Sequence, residues 1–441
     1  MKKGLFDFRV RLLILFSVAA GGQLFAQTEI TEWQNGKTGA VSLTYDDGIR
    51  TQFSQILPVM ERLGFPGTFF VITGPVKGTH YPAKFIGRPV KEIVAETAKT
   101  PTDAANFFER ASAIRYLGYK GTLAFYDKAD AYYESGNKLA AYQTVDSVYS
   151  RVRSGTLSRG MDTSMEIANE TGLSWEDLKQ YAAKGFEIAS HTVTHAHLAI
   201  MDTANMLYEL QKSKQDLLEH LGPEYTFSAE VPFGIEDPRV MKTALPVYSA
   251  LRNLMPEPYL YEINRGDPAQ PGSSQKAYVQ WQRGPLAKTS LTKMKSWIDT
   301  TLAHQNIWLV LVFHGVDGVG WEALPHALIA RYFQYIKENQ SSLWVASFAE
   351  VTKYMRERMD TKLSVTSNSQ AITVSMIHSL DSKIYAVPLT LKTYVPLSWK
   401  KVLFSAGGIR KELIPVSSKK GNYVYYAVSP DLKSVSLQKS R

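Results

Sequence analysis

Seven short apolar runs recur along the chain, at 41–45 (VSLTY), 67–73 (GTFFVIT), 186–190 (FEIAS), 227–231 (FSAEV), 247–251 (VYSAL), 308–313 (WLVLVF) and 343–348 (LWVASF). They are nearly continuous, rich in β-branched and aromatic residues, and lack polar alternation. Parallel strands covered on both faces read this way. Helical patterns at 52–63, 175–183, 204–221, 291–303, 325–339 and 349–359 separate most of them. Strand–helix alternation of this kind predicts an α/β fold, specifically a closed or incomplete barrel of about seven units.

The chain has 441 residues, more than one core holds, so further units are expected. Two stretches break the rhythm. Residues from about 75 to 174 carry little strand character and many Tyr, including Tyr116, Tyr119, Tyr126 and Tyr149. This stretch reads as a helical insertion in the barrel, with Thr100 and Pro101 opening one helix. Its Tyr residues serve either an internal core or sugar stacking, the core being favoured. From 361 to 441 short β-like runs alternate with Gly and Ser turns, predicting a sandwich-like module. The barrel is assigned 27–357.

Residues 1–26 place Lys2, Lys3, Arg9 and Arg11 before the apolar run 12–20, and end in small residues at Ala26. That is the pattern of a cleaved export signal, with an apolar run too short to span a bilayer. Its removal takes four bases and Asp7, and lowers the net charge from +9 to +6. The mature chain is expected in the periplasm, cell envelope or medium, without a transmembrane anchor. The absence of cysteine excludes disulfides, thiolate metal sites and cysteine nucleophiles. The basic residues form no cluster, which disfavours nucleic-acid partners.

Polar residues directly follow three of the apolar runs. Asp46-Asp47-Gly48 follows the first, His191, His195 and His197 the third, and His314-Gly315 the sixth. In parallel α/β folds the carboxyl ends of strands form the active face. Singly, each cluster has a bland explanation: a turn, surface histidines, a core histidine. Three such placements together point to one site. The His191/His195 spacing lets both imidazoles face one metal, and an adjacent carboxylate can complete a three-ligand set with an open position. A second carboxylate can act as base and a separate His as acid, which describes metal-assisted hydrolysis of an amide or ester.

TYDDG (44–48), HTVTH (191–195), Pro-Phe-Gly (232–234) and VLVFHG (310–315), in this order, resemble the polysaccharide deacetylases, the NodB-homology enzymes of carbohydrate esterase family four. The resemblance covers about 40–74 and 175–357. It implies a distorted (β/α)7 barrel and hydrolysis of N- or O-acetyl groups on an acetylated polysaccharide or oligosaccharide. It further implies that Asp46 is the general base, His314 the general acid, and Asp47, His191 and His195 ligands of a divalent metal, zinc foremost. The Phe233 N–H would contribute to an oxyanion hole.

One departure stands out. The family turn commonly opens with Arg, and here Glu230 occupies that place. A carboxylate near Asp46 would raise its pKa where an Arg lowers it. Arg252, just after the fifth run, or Arg283 is expected to substitute. Trp281, Trp297 and Trp321 are candidates for an apolar wall beside His314, with Trp321 favoured. The alternative is a deacetylase-like glycan-binding protein that has lost catalysis. A two-carboxylate glycosidase leaves the histidines unexplained.

Overall fold

The computed structural model describes residues 27–169, 172–255 and 260–440. The expected export signal, 1–26, lies outside the described residues. Ten strands run through the first part of the chain: β1 (Thr28–Ile30), β2 (Gly39–Tyr45), β3 (Thr68–Val71), β4 (Glu187–Ser190), β5 (Ser228–Ala229), β6 (Ala250–Leu251), β7 (Tyr261–Ile263), β8 (Val279–Arg283), β9 (Ile307–Phe313) and β10 (Leu343–Val345). All but β1 join one sheet in the order β6-β5-β4-β3-β2-β9-β8-β7, with β10 also on β2. Every pairing in this sheet is parallel. The sheet curls into the distorted barrel that the apolar runs predict.

The centre of the sheet is its most apolar part. Every residue of β2 and β9 is buried, and the pair runs in register from Ala40↔Trp308 to Tyr45↔Phe313. The Tyr45 ring stacks between Phe69 and Phe313, with centroids 5.2 and 5.1 Å away. A ring stack of this kind adds to the burial energy of each strand end.

Among the described residues, twelve α-helices complete the set. They are α1 (Leu57–Leu63), α2 (Val90–Glu96), α3 (Phe107–Ile114), α4 (Thr122–Glu134), α5 (Lys138–Arg153), α6 (Met165–Asn169), α7 (Trp175–Ala183), α8 (Thr203–His220), α9 (Pro238–Ala244), α10 (Leu291–Ala303), α11 (His326–Glu338) and α12 (Phe348–Asp360). Their starts follow local chemistry. Ser174 and Asp177 form a reciprocal capping box on α7, and the Asp202 carboxylate accepts the Ala204 and Asn205 N–H groups at the start of α8. α8 then buries Met206, Leu210 and Leu217, spaced to face the sheet.

Strands β7 and β8 escape a search for apolar runs. β8 reads VQWQR, and its two Gln are buried. Both serve the barrel's gap. Among the described residues no ladder joins β6 to β7, and the Gln280 and Gln282 side chains donate to the Arg252 carbonyl instead, at 3.1 and 2.7 Å.

The insertion holds a core of its own, with Ile93, Phe107, Ile114, Tyr126, Val145, Val148 and Tyr149 at its centre. Tyr126 and Tyr149 are therefore packing residues. Helix α3 starts at Phe107, not after Thr100. The Asp103 carboxylate captures the Ala105 and Asn106 N–H groups, so this stretch turns before it can coil.

Beyond α12 the chain forms two antiparallel sheets. One holds Lys362–Ser367, Ala371–Ile377, Ser434–Lys439, Val402–Ala406 and Ile409–Leu413. The other holds Leu389–Val395, Gly421–Val428, Val416–Ser418 and, at its edge, β1. Strand β1 thus lies in the C-terminal sheets and not in the barrel, although it precedes β2. A shared core of Trp344, Phe348 and Tyr354 from the barrel with Leu389, Trp399 and Phe404 from the sheets joins the two units.

Candidate active site

A cavity of about 230 Å³ opens at the carboxyl ends of the strands. Asp46, Asp47, His191, His195, Glu230, Phe233 and His314 line it, and Glu166, Arg265 and Trp321 complete the wall. The sequence brings them together by one device repeated. Asp46 follows β2, His191 follows β4, Glu230 follows β5, Arg252 follows β6 and His314 follows β9. Three residues lining it, Asp47, His195 and Phe233, have φ of 74, 54 and 64°. Left-handed backbone at non-glycine residues stores strain, and its clustering here marks a functional site. Gly48 belongs to the same turn, and a Cβ there would come within 3.0 Å of Val71 Cγ1.

Asp47 Oδ1 lies 3.7 Å from His191 Nε2 and 3.5 Å from His195 Nε2. All three residues are buried. His191 Nδ1 lies 2.9 Å from the Glu230 carbonyl. Only an N–H can satisfy that carbonyl, so the His191 Nε2 lone pair faces Asp47. Burial lowers the His191 pKa to about 4 and holds His195 well below its usual range, so both rings are neutral. Burial and then the Asp46 and Glu166 charges push Asp47 upward. Lone pairs and a carboxylate oxygen converging beyond hydrogen-bond distance call for a cation between them. Two imidazole nitrogens and one carboxylate oxygen suit a zinc-like divalent ion with an open position.

Asp46 is the neighbouring carboxylate. Its Oδ2 accepts from Arg252 Nη2 at 2.6 Å and lies 3.2 Å from His314 Nε2. Its buried Oδ1 has no hydrogen-bond partner. Burial alone would raise its pKa, but Arg252 and then His314 outweigh burial and hold the carboxyl well below the usual range. Arg252 is fully buried. It also donates to Thr44 Oγ1 at 2.7 Å and to Glu230 Oε2 at 3.1 Å. Glu230 thus stands across Arg252 from Asp46. Burial pushes its pKa up to about 7, against the pull of Arg252. The His314 ring is drawn downward by burial and upward by Asp46. Trp321 packs edge-on against it, with centroids 4.7 Å apart.

Arg283 is not brought to the site. Its guanidinium bonds the carbonyls of Asn264, Gln282, Asp267 and Ala269 and lies over Trp281. Trp281 and Trp297 belong to the barrel core. Two pocket residues escape the sequence pattern. Arg265 Nη1 reaches 3.5 Å from His314 Nε2, and Glu166 Oε2 lies 3.9 Å from His195 Nδ1. That Nδ1 is buried and has no hydrogen bond. The Phe233 ring stacks flat on His197 at 3.8 Å. Burial would lower the His197 pKa, but Asp127 and Asp130 of α4 raise it to about 9.

The parallel barrel thus carries at its carboxyl end an Asp/His/His cluster whose donors could hold a divalent ion. The sequence adds a family likeness. The profile of the polysaccharide deacetylases matches residues 34–106 and 144–246. These matched stretches, less than half of the chain, are what it shares with the polysaccharide deacetylase domain. The unmatched stretch between them, 107–143, covers α3, α4 and the start of α5 in the insertion. A gellan lyase from a Bacillus species is 22% identical over 277 residues, and the match covers 58% of this chain but 11% of that protein. Among solved structures, a family 4 carbohydrate esterase from Streptomyces lividans is 11% identical and aligns over 70% of this chain and 93% of its own, with a TM-score of 0.30. Bacillus subtilis PdaA, of the same esterase family, is 12% identical over 74% of this chain and 83% of its own, with a TM-score of 0.32.

Proposed function

We propose that this chain is an exported, metal-dependent carbohydrate deacetylase that hydrolyses N- or O-acetyl groups on a glycan. The observation that carries the reading is the pairing of the Asp47/His191/His195 cluster with an Asp46 carboxylate gripped by Arg252 and His314. A divalent ion bound by Asp47, His191 and His195 would supply Lewis-acid polarisation of the acetyl carbonyl and a more acidic water.

The chain's own residues do the rest. Arg252 keeps Asp46 ionised, and the unpartnered Oδ1 accepts the proton of the attacking water. His314 delivers a proton to the departing sugar oxygen or nitrogen, and its Nε2 contact to Asp46 gives that proton a short return path. The Phe233 N–H and Arg265 face the charge that develops on the acetyl oxygen. Trp321 shields His314 and offers an apolar face to the acetyl methyl or the sugar ring. Arg252 replaces the arginine that the family turn carries where this chain has Glu230, so the loss-of-catalysis alternative loses its main support.

The test is acetate release from acetylated xylan, pectin, chitin oligomers and peptidoglycan, with metal analysis and a His191→Ala control. Release on at least one substrate, lost in the control, is expected. Bound metal with no release on any of them would replace this reading with glycan binding alone.

A further inference from the structure

A second histidine–aspartate cluster lies away from the barrel mouth. Ligand atoms of His80, Asp216 and His220 all fall within 4.8 Å of one another. It shares no residue with the cavity at the strand ends. We propose that it is a second divalent-cation site, structural in role, which ties the loop after β3 to the end of α8.

Four observations carry this. Asp216 and His220 are four residues apart on α8, so one helical face presents both. Asp216 is fully buried, and among the described residues its one ion-pair candidate within 4.0 Å is the His220 ring, at 3.9 Å, which burial shifts toward its neutral form. Asp216 also stands just before the last turn of α8, toward the negative end of the helix dipole. Its hydrogen bonds come from neutral groups, the Thr79 hydroxyl at 2.6 Å and the His80 N–H at 2.9 Å. A buried charge so placed needs a cation.

The rings are held ready. His220 stacks flat on Trp175, with centroids 4.4 Å apart and 7° between planes. Its Nε2 is buried and has no hydrogen-bond partner. The His80 ring leans on His220 at 4.5 Å. Its Nδ1 lies 2.6 Å from Glu219 Oε2, which brings a second carboxylate to the cluster. Two imidazoles and a carboxylate select a borderline ion such as Zn²⁺ over Ca²⁺ or Mg²⁺, which prefer oxygen cages.

The test is metal content. Untagged full chain is stripped with a chelator, reloaded with Zn²⁺, desalted and assayed for zinc. Wild type should hold two ions, and His80→Ala and His191→Ala one each. His80 is half exposed, so its variant should fold. Equal zinc in wild type and His80→Ala would overturn the proposal. One ion in wild type, lost in His80→Ala and kept in His191→Ala, would sustain this site and sink the metal role at the barrel mouth.

Discussion

The barrel mouth and the end of α8 hold the same three donors, two His and one Asp, in opposite settings. At the mouth the donors come from two strand ends, on strained backbone, and a second carboxylate, an arginine and a third histidine crowd around them. At α8 the donors come from a regular helix and one loop, and the nearby groups are a tryptophan, a threonine and Glu219. The donor set is therefore not what makes a site reactive. Reactivity needs an additional base whose charge is held and a cavity beside the open position. The first cluster stands beside a carboxylate gripped by an arginine and beside a cavity.

Five experiments probe the contrast. His191→Ala should reduce acetate release to background, whereas His80→Ala should leave kcat unchanged. A large rate loss in His80→Ala would erase the distinction between the clusters. Asp46→Asn should keep the metal and lower kcat by about 10²–10⁴, the range of a general base. Unaltered turnover would remove Asp46 from the chemistry.

Arg252→Ala should cost about tenfold or more in rate and move the acid limb of the pH–rate profile upward. The sign follows from the contacts: Asp46 works ionised, Arg252 holds its pKa down, and removal of that charge lets burial raise it. Glu230→Gln should move the same limb downward, because Arg252 is then left to Asp46 alone. Parallel shifts in both variants would disprove the shared-arginine account. Unfolding of Arg252→Ala is a distinct risk, since a broken buried pair costs about 3–5 kcal/mol, so Glu230→Gln carries the test if it does.

Glu166→Gln should weaken zinc at the mouth, because it removes a negative charge 3.9 Å from His195 Nδ1. Competition with a chromogenic chelator reads this directly, and unchanged affinity would confine Glu166 to substrate contact. Last, Zn²⁺ at about 100 times its Kd should add about 2.7 kcal/mol of stability per site. His80→Ala should lose one such increment in thermal unfolding.

The site was largely legible because its main residues sit directly after apolar strands, where side chains must leave the sheet for the cavity. Asp46, His191, Arg252 and His314 follow that rule, and Asp47 and His195 lie in the turns that continue from two of them. Arg283 sits at the end of β8 yet misses the cavity, because four carbonyls nearby take its guanidinium first. Glu166 and Arg265 lie on a five-residue helix and in a loop, where no periodicity points a side chain. β8 was hidden by the buried Gln that bridge the barrel's gap. The partner of β1 was hidden by distance, since no local pattern announces a pairing across 365 residues.

That pairing has a consequence for assembly. Thr28–Ile30 lies against Leu389–Val395, so the edge of that sheet is completed by a segment made at the opposite end of the chain. A pairing so distant in sequence forms slowly, although its closure entropy grows only slowly with length. Until it happens Leu389–Val395 presents bare amides and carbonyls, an open template for another chain. With β1 in place the edge of that sheet is a strand of three residues, and its deletion is expected to lower soluble yield before it lowers activity.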